Sequence, residues 1–87
     1  MNKNLQSLRT EIDQLDEQLW KIIGQREDLV RQIGAQKQLL GEPIVQTERW
    51  QQVMQHCLSI ARQYGISDEC VNEVMQAIHK ESVRIES

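Results

Sequence analysis

Between Leu5 and Leu40 apolar residues recur at every third or fourth position: Leu5, Leu8, Ile12, Leu15, Leu19, Ile22, then Leu29, Ile33 and Leu40. That is the period of an α-helix carrying a heptad-like seam. It predicts one helix from Asn4 or Leu5 to Leu40, running through Gly24 and Gly34 with the seam in phase, although each glycine costs up to ~1 kcal/mol relative to alanine. At ~1.5 Å per residue the helix is roughly 54 Å long, against a radius of gyration near ~12 Å for a compact domain of this size. Its own chain cannot wrap it. Two polar residues interrupt the seam, Gln36 near its end and Arg26 in its middle. Burying an unpaired guanidinium costs several kcal/mol, so an anionic group is expected against Arg26.

Gly41-Glu42-Pro43 ends this helix, because the residue before a proline is kept out of the α region. Thr47 is the expected N-cap of a second helix, with Glu48 in its first turn and Gly65 just past its end. Its apolar stripe is Trp50, Val53, Met54, Cys57, Leu58, Ala61 and Tyr64. Ser67 caps a third helix, with Ile66 and Val71 placed as a hydrophobic staple. There the stripe is Val71, Val74, Met75, Ile78, Ser82 and Ile85, so one hydroxyl stands in an apolar row, and Glu86 follows one turn later on the same side. No stretch alternates with the period of a strand. The fold class is all-α: three helices, the first long, in a single domain over residues 1–87.

Composition narrows the function. A chain of 87 residues buries only about 60–65% of its unfolded surface, so its core is marginal and help from a second chain is expected. The net charge is −3 with both signs interspersed, and phenylalanine is absent, which argues against nucleic-acid binding. No apolar run resembles a signal peptide or reaches the about 18 residues of a membrane span; a cytoplasmic chain without membrane association is expected. Cys57 and Cys70 lack CxxC spacing and fall on apolar helix positions, which suits small, reduced core residues. His56 and His79 have no partners at ligand spacing, so no metal site is expected.

The chemistry rests with cations. Arg9, Arg26, Lys37 and Arg49 lie on or beside apolar stripes rather than on an outer face. Arg26 and Lys37 are eleven residues apart, about 1100° of helical rotation, so they share a face with Cα atoms roughly 16 Å apart, a gap suited to a small doubly charged anion. Arg9 and Arg49, taken singly, read equally well as stems laid on apolar surface with their heads in water. A hydroxyl such as that of Ser82 most commonly bonds back to its own helix. Cations outnumber candidate bases, which points to holding a polyanion and stabilising its charge rather than to nucleophilic catalysis.

The run Leu8-Arg9-x-x-Ile12-Asp13-x-Leu15-Asp16-x-x-Leu19, then Arg26, then Ile33-Gly34-x-x-Lys37, then Pro43-x-x-x-x-x-Arg49, with Glu81-Ser82 in the third helix, resembles the all-α bacterial class of chorismate mutase. The resemblance covers nearly the whole chain. It implies an intertwined homodimer with shared active sites, each taking an arginine from the partner, which agrees with a helix too long for its own chain. By this resemblance Arg9 reaches the partner's site, while Arg26, Lys37 and Arg49 serve the site of their own chain. Arg9 and Arg26 would grip carboxylates, Lys37 would meet a carboxylate and the ether oxygen, and Ser82 would hydrogen-bond a carboxylate. The implied reaction is the Claisen rearrangement of chorismate to prephenate, which needs neither cofactor nor metal.

The chain departs from the family pattern at three positions. The best-known members carry an Asp and, one turn later, a Glu that help bind the ring hydroxyl; here those positions hold Gln46 and Trp50. Gln46 can still hydrogen-bond, whereas Trp50 cannot replace a carboxylate and fits the core stripe of the second helix. The position that is often Gln near the end of the third helix is Glu86. A carboxylic acid donates a hydrogen bond to the ether oxygen only while protonated, so Glu86 makes activity highest in acid, unless it belongs to a frayed end and faces water. An isochorismate pyruvate-lyase, a 4-amino-4-deoxychorismate mutase and a non-catalytic helical dimerisation or diacid-binding homologue are the alternatives that these departures leave open.

Overall fold

The computed structural model describes residues 3–87, which form three helices, α1 (Leu5–Leu40), α2 (Thr47–Gln63) and α3 (Asp68–Glu86). Local chemistry explains each boundary. Asn4 caps α1, its side chain accepting from the Ser7 N–H at 2.8 Å. At the other end Gly41 takes φ 69°, a left-handed conformation natural to glycine. There the Gly41 and Glu42 N–H groups return to the carbonyls of Gln38 and Lys37, the paired bonds of a Schellman ending. Gly65 repeats the device after α2, with φ 72° and bonds from Gly65 to Arg62 and from Ile66 to Ala61. Ser67 caps α3 by accepting from the Cys70 N–H at 3.1 Å. The second cap differs from expectation: Thr47 is already helical, and Gln46 occupies the cap without a side-chain bond to the helix.

Both α1 and α2 pack on α3, and they do not pack on each other. The chain is therefore elongated, 58 × 23 × 15 Å, with its length set by α1. In the C-terminal half of α1 the shielded residues are Ile23, Arg26, Glu27, Val30, Gly34 and Lys37, a stripe at helical spacing that faces α3. The apolar seam is a neighbouring stripe, and it stays open: Leu5, Leu8, Ile12, Leu15, Leu19 and Ile22 are between 46% and 63% exposed, as are Leu29 and Ile33. Val30, Ala61 and Val71 form the buried apolar core, and no large side chain among the described residues is fully enclosed. So small a core fits a chain that folds with help.

Several expected core positions lie at the surface instead. Tyr64 is 78% exposed just past the end of α2, and Val74 is half-exposed on α3 itself. Cys70 is exposed and Cys57 half-buried; both are free thiols. Cys70 lies in the first turn of α3, beyond the reach of the helices packed on it. No helix of the described residues is long and apolar enough to cross a membrane.

Candidate active site

A groove of about 640 Å³ opens between α1 and α2, with α3 as its floor. α1 contributes Arg26 and Lys37, the connection and α2 contribute Gln46, Arg49 and Trp50, and α3 contributes His79, Ser82 and Glu86. Six of the seven sequence-predicted site residues thus meet in one place. The seventh, Arg9, is exposed and stands seventeen residues before Arg26, roughly 25 Å along the axis at ~1.5 Å per residue, outside the groove of its own chain.

Arg26 meets a hydroxyl rather than the expected anion. Its Nη1 donates to Ser82 Oγ at 2.9 Å, and Ser82 Oγ donates in turn to the Ile78 carbonyl at 2.9 Å. Ser82 is buried, so the back-bond to its own helix and the link to α1 together fix the rotamer of both partners. No carboxylate lies within ion-pair distance of Arg26 or Arg49 among the described residues, and Arg49 keeps its head exposed. The groove holds three cations, Arg26, Lys37 and Arg49, against two carboxylates, Glu42 and Glu86. Its formal charge is therefore positive.

Lys37 and Glu86 form the most shielded ion pair of the described residues, 2.6 Å between Nζ and Oε1 with side chains 15% and 7% exposed. Lys37 also donates to the Ile44 carbonyl at 2.7 Å. The approach to Glu86 Oε1 lies off the direction of a hydrogen bond, so that oxygen is charge-paired yet has no aligned donor. Glu86 is the last residue of α3, but it is neither frayed nor turned to water. Gly34 makes this possible: a Cβ there would stand 3.2 Å from Glu86 Cγ and 3.3 Å from Glu86 Cα, so only a glycine lets the end of α3 lie this close to α1.

Trp50 is not simply core. It is half-buried, lines the groove, and stacks on His79 with ring centroids 4.0 Å apart and planes inclined by 23°. His79 went unrecognised among the sequence candidates because it was weighed only as a metal ligand. Its spacing of three before Ser82 and seven before Glu86 already placed it on their face of α3. Gln46 turns partly away, its Nε2 donating to Glu42 Oε2 at 3.1 Å and to the Pro43 carbonyl at 3.4 Å. No group of three or more His, Cys, Asp or Glu that could hold a metal occurs among the described residues.

A family model described as chorismate mutase type II matches residues 8–87. The chain belongs to that family. Among curated relatives of this chorismate mutase type II chain, the T-protein of Haemophilus influenzae is 36% identical over 78 residues, 90% of this chain and 21% of that protein. A protein named bifunctional chorismate mutase/prephenate dehydratase, from Buchnera aphidicola subsp. Acyrthosiphon pisum, is 28% identical over 82 residues, 94% of this chain and 21% of that protein. The chain spans about a fifth of the length of these curated relatives.

Proposed function

We propose that this chain rearranges chorismate to prephenate, as a homodimer in which the partner subunit's Arg9 completes each groove. The observation that carries the reading is the convergence of Arg26, Lys37 and Arg49 with Ser82 on one groove whose positive charge is not balanced. Chorismate is a small dicarboxylate. The reaction breaks a C–O bond and forms a C–C bond within one molecule, and no proton, electron or group passes to the protein. Two things accelerate it: holding the compact conformer in which the bonding carbons meet, and stabilising the negative charge that grows on the ether oxygen. Arg26, fixed by Ser82, and Arg49 hold carboxylates. Lys37, fixed by the Ile44 carbonyl, directs its ammonium at the developing charge, where one preorganised donor is worth about 3–4 kcal/mol, or 10²–10³ in rate.

The second copy follows from the open seam. Six leucine and isoleucine side chains between Leu5 and Ile22 are about half exposed, and fully burying one such side chain is worth ~1.5–3 kcal/mol. A second α1 laid along this seam removes it from water and carries an Arg9 toward the groove. The domain works as a soluble enzyme of the cytoplasm, with neither cofactor nor metal.

Loss of the diene absorbance on incubating pure protein with chorismate, with prephenate as product, is the expected result. Salicylate formed from isochorismate, with chorismate untouched, assigns the lyase reaction instead, and selective turnover of 4-amino-4-deoxychorismate assigns the amino mutase. No turnover of any of them leaves a non-catalytic homologue. For the shared site, Arg9→Ala and Arg26→Ala proteins, each inactive, recover activity once their subunits exchange. No recovery after proven exchange, or a folded monomer in sedimentation equilibrium, refutes the dimeric site.

A further inference from the structure

Most polar side chains that line the groove are engaged within the chain. Ser82 accepts from Arg26 and donates to Ile78, Lys37 is held by Ile44 and Glu86, and the amide nitrogen of Gln46 donates to Glu42 and Pro43. His79 differs. It is half-buried in the groove lining and makes no hydrogen bond to another described residue. Gln32, Gln36 and Arg49 are also free, but they are exposed.

The Trp50 indole covers one face of the imidazole, 4.0 Å between centroids, and so fixes its plane. The nitrogens lie on the edge of the ring, which the stack leaves uncovered, and in neutral imidazole one of them donates while the other accepts. That edge sits on the α3 floor, on the same helical face as Ser82 and Glu86. Trp50 reaches it from the α2 wall, and Arg26 and Lys37 stand on the α1 wall. A dicarboxylate whose two charged groups and ether oxygen are met by the cations has one polar group left, the hydroxyl of its ring. Burying that hydroxyl without a partner would be costly. An imidazole edge can both donate to it and accept from it.

We propose that His79 is a specificity-determining residue that hydrogen-bonds the ring hydroxyl of the bound dicarboxylate, with Trp50 as the positioning residue that holds the imidazole. This rests on the mutase reading of the groove. The sequence departs from its family pattern at Trp50, and the stack supplies from α3 a hydrogen-bond acceptor, which the indole N–H of Trp50, a donor only, cannot be.

The test compares chorismate with its analogue carrying hydrogen in place of the ring hydroxyl. The readout is kcat and KM for each. For a protein that turns over neither, it is Kd from Trp50 emission in a Trp20→Phe background, Trp20 being 68% exposed on α1 outside the groove. The parent protein should favour chorismate by about tenfold, the upper range for one neutral hydrogen bond. His79→Phe keeps a ring for the stack and should lose that preference, through a KM about tenfold higher for chorismate and unchanged for the analogue. His79→Gln, which can donate and accept, should regain part of it, and Trp50→Phe should retain more of it than Trp50→Ala.

A parent protein that treats the two compounds alike overturns the proposal without any variant. So does a His79→Phe protein that loses equally on both, since a merely structural role moves them together. Absence of turnover with a hydroxyl-dependent Kd refutes the mutase reading and leaves the His79 contact standing. Turnover without hydroxyl dependence does the reverse. If neither compound binds, both fall.

Discussion

Gly24 and Gly34 are ten residues apart on α1, and a methyl group added at each meets very different surroundings. At Gly24 nothing of the chain lies within 4 Å of the new Cβ, whereas at Gly34 it stands 3.2 Å from Glu86 Cγ and 3.3 Å from Glu86 Cα. Both substitutions gain the same intrinsic term, since alanine is favoured over glycine inside a helix by about 0.5–1 kcal/mol. Gly24→Ala should realise it in full, raising Tm by several degrees at about 4–8 °C per kcal/mol for a domain of this size. Gly34→Ala must move the end of α3 by a few tenths of an ångström to reach ordinary contact distance. That shift uses up the propensity gain and, more importantly, carries Glu86 away from Lys37, which it now meets at 2.6 Å. Productive sites tolerate displacements of only about 0.5 Å, and 1 Å can cost about a hundredfold; kcat/KM for chorismate should therefore fall by about tenfold in Gly34→Ala and stay level in Gly24→Ala. Thermal denaturation by circular dichroism and steady-state turnover decide the matter. If Gly34→Ala is as active as the parent and stabilised as much as Gly24→Ala, the close approach of α3 to α1 has no role in placing Glu86.

Lys37→Ala should lower kcat/KM by about 10²–10³ and lower Tm as well, since it leaves Glu86, 7% exposed, without its counter-charge; a loss of turnover below about threefold would make Lys37 a bystander. Adding Glu86→Gln to Lys37→Ala should restore stability but not activity, which a pair of denaturation curves and a single assay separate. Glu86→Gln alone puts a donating amide where a charged carboxylate can only accept, so kcat at neutral pH should rise; an unchanged or lower kcat would refute a donating role at this position. Arg62 donates to both oxygens of Asp68, at 3.0 and 2.8 Å, and its hydrogen bond holds the Asp68 carboxyl below the usual carboxylate range. A lowered folded pKa contributes stability above the ordinary value and loses it as pH falls through the folded one, so Asp68→Asn should show a small Tm deficit at neutral pH that vanishes in strong acid. A deficit that persists in acid would assign it to the first turn of α3 rather than to the charge pair.

Much of this was legible in the chain because the signals are local. The bounds of α1 followed from the period of its apolar residues and from Gly41, and the Ser67 cap and the turn at Gly65 followed from single residues with one dominant conformational role. Helical phase pairs Arg26 with Lys37 and Ser82 with Glu86, and the resemblance to the chorismate mutase family joins the two pairs in one site. What escaped was relational. Periodicity identifies apolar faces without saying how far a neighbour covers them, so it marks Tyr64, at the end of α2, and Val74 and Cys70, in the first half of α3, as core although all three are exposed. Gly34 looked like a tolerated defect until Glu86 was found against it. Trp50 and His79 belong to different helices with 28 residues between them, and nothing in either stripe announces that their rings meet. A buried seam asks for an anion at Arg26; the side chain lies instead at the margin of two stripes, where a hydroxyl and partial solvent contact suffice.

The absence of direct packing between α1 and α2 makes the ligand a structural element. On the proposed reading, a diacid in the groove would touch both helices at once and supply the third side of a triangle that the protein leaves open. Occupancy then adds to folding free energy by mass action, about 2.7 kcal/mol at a hundredfold excess over Kd, a large fraction of the net stability of a small domain.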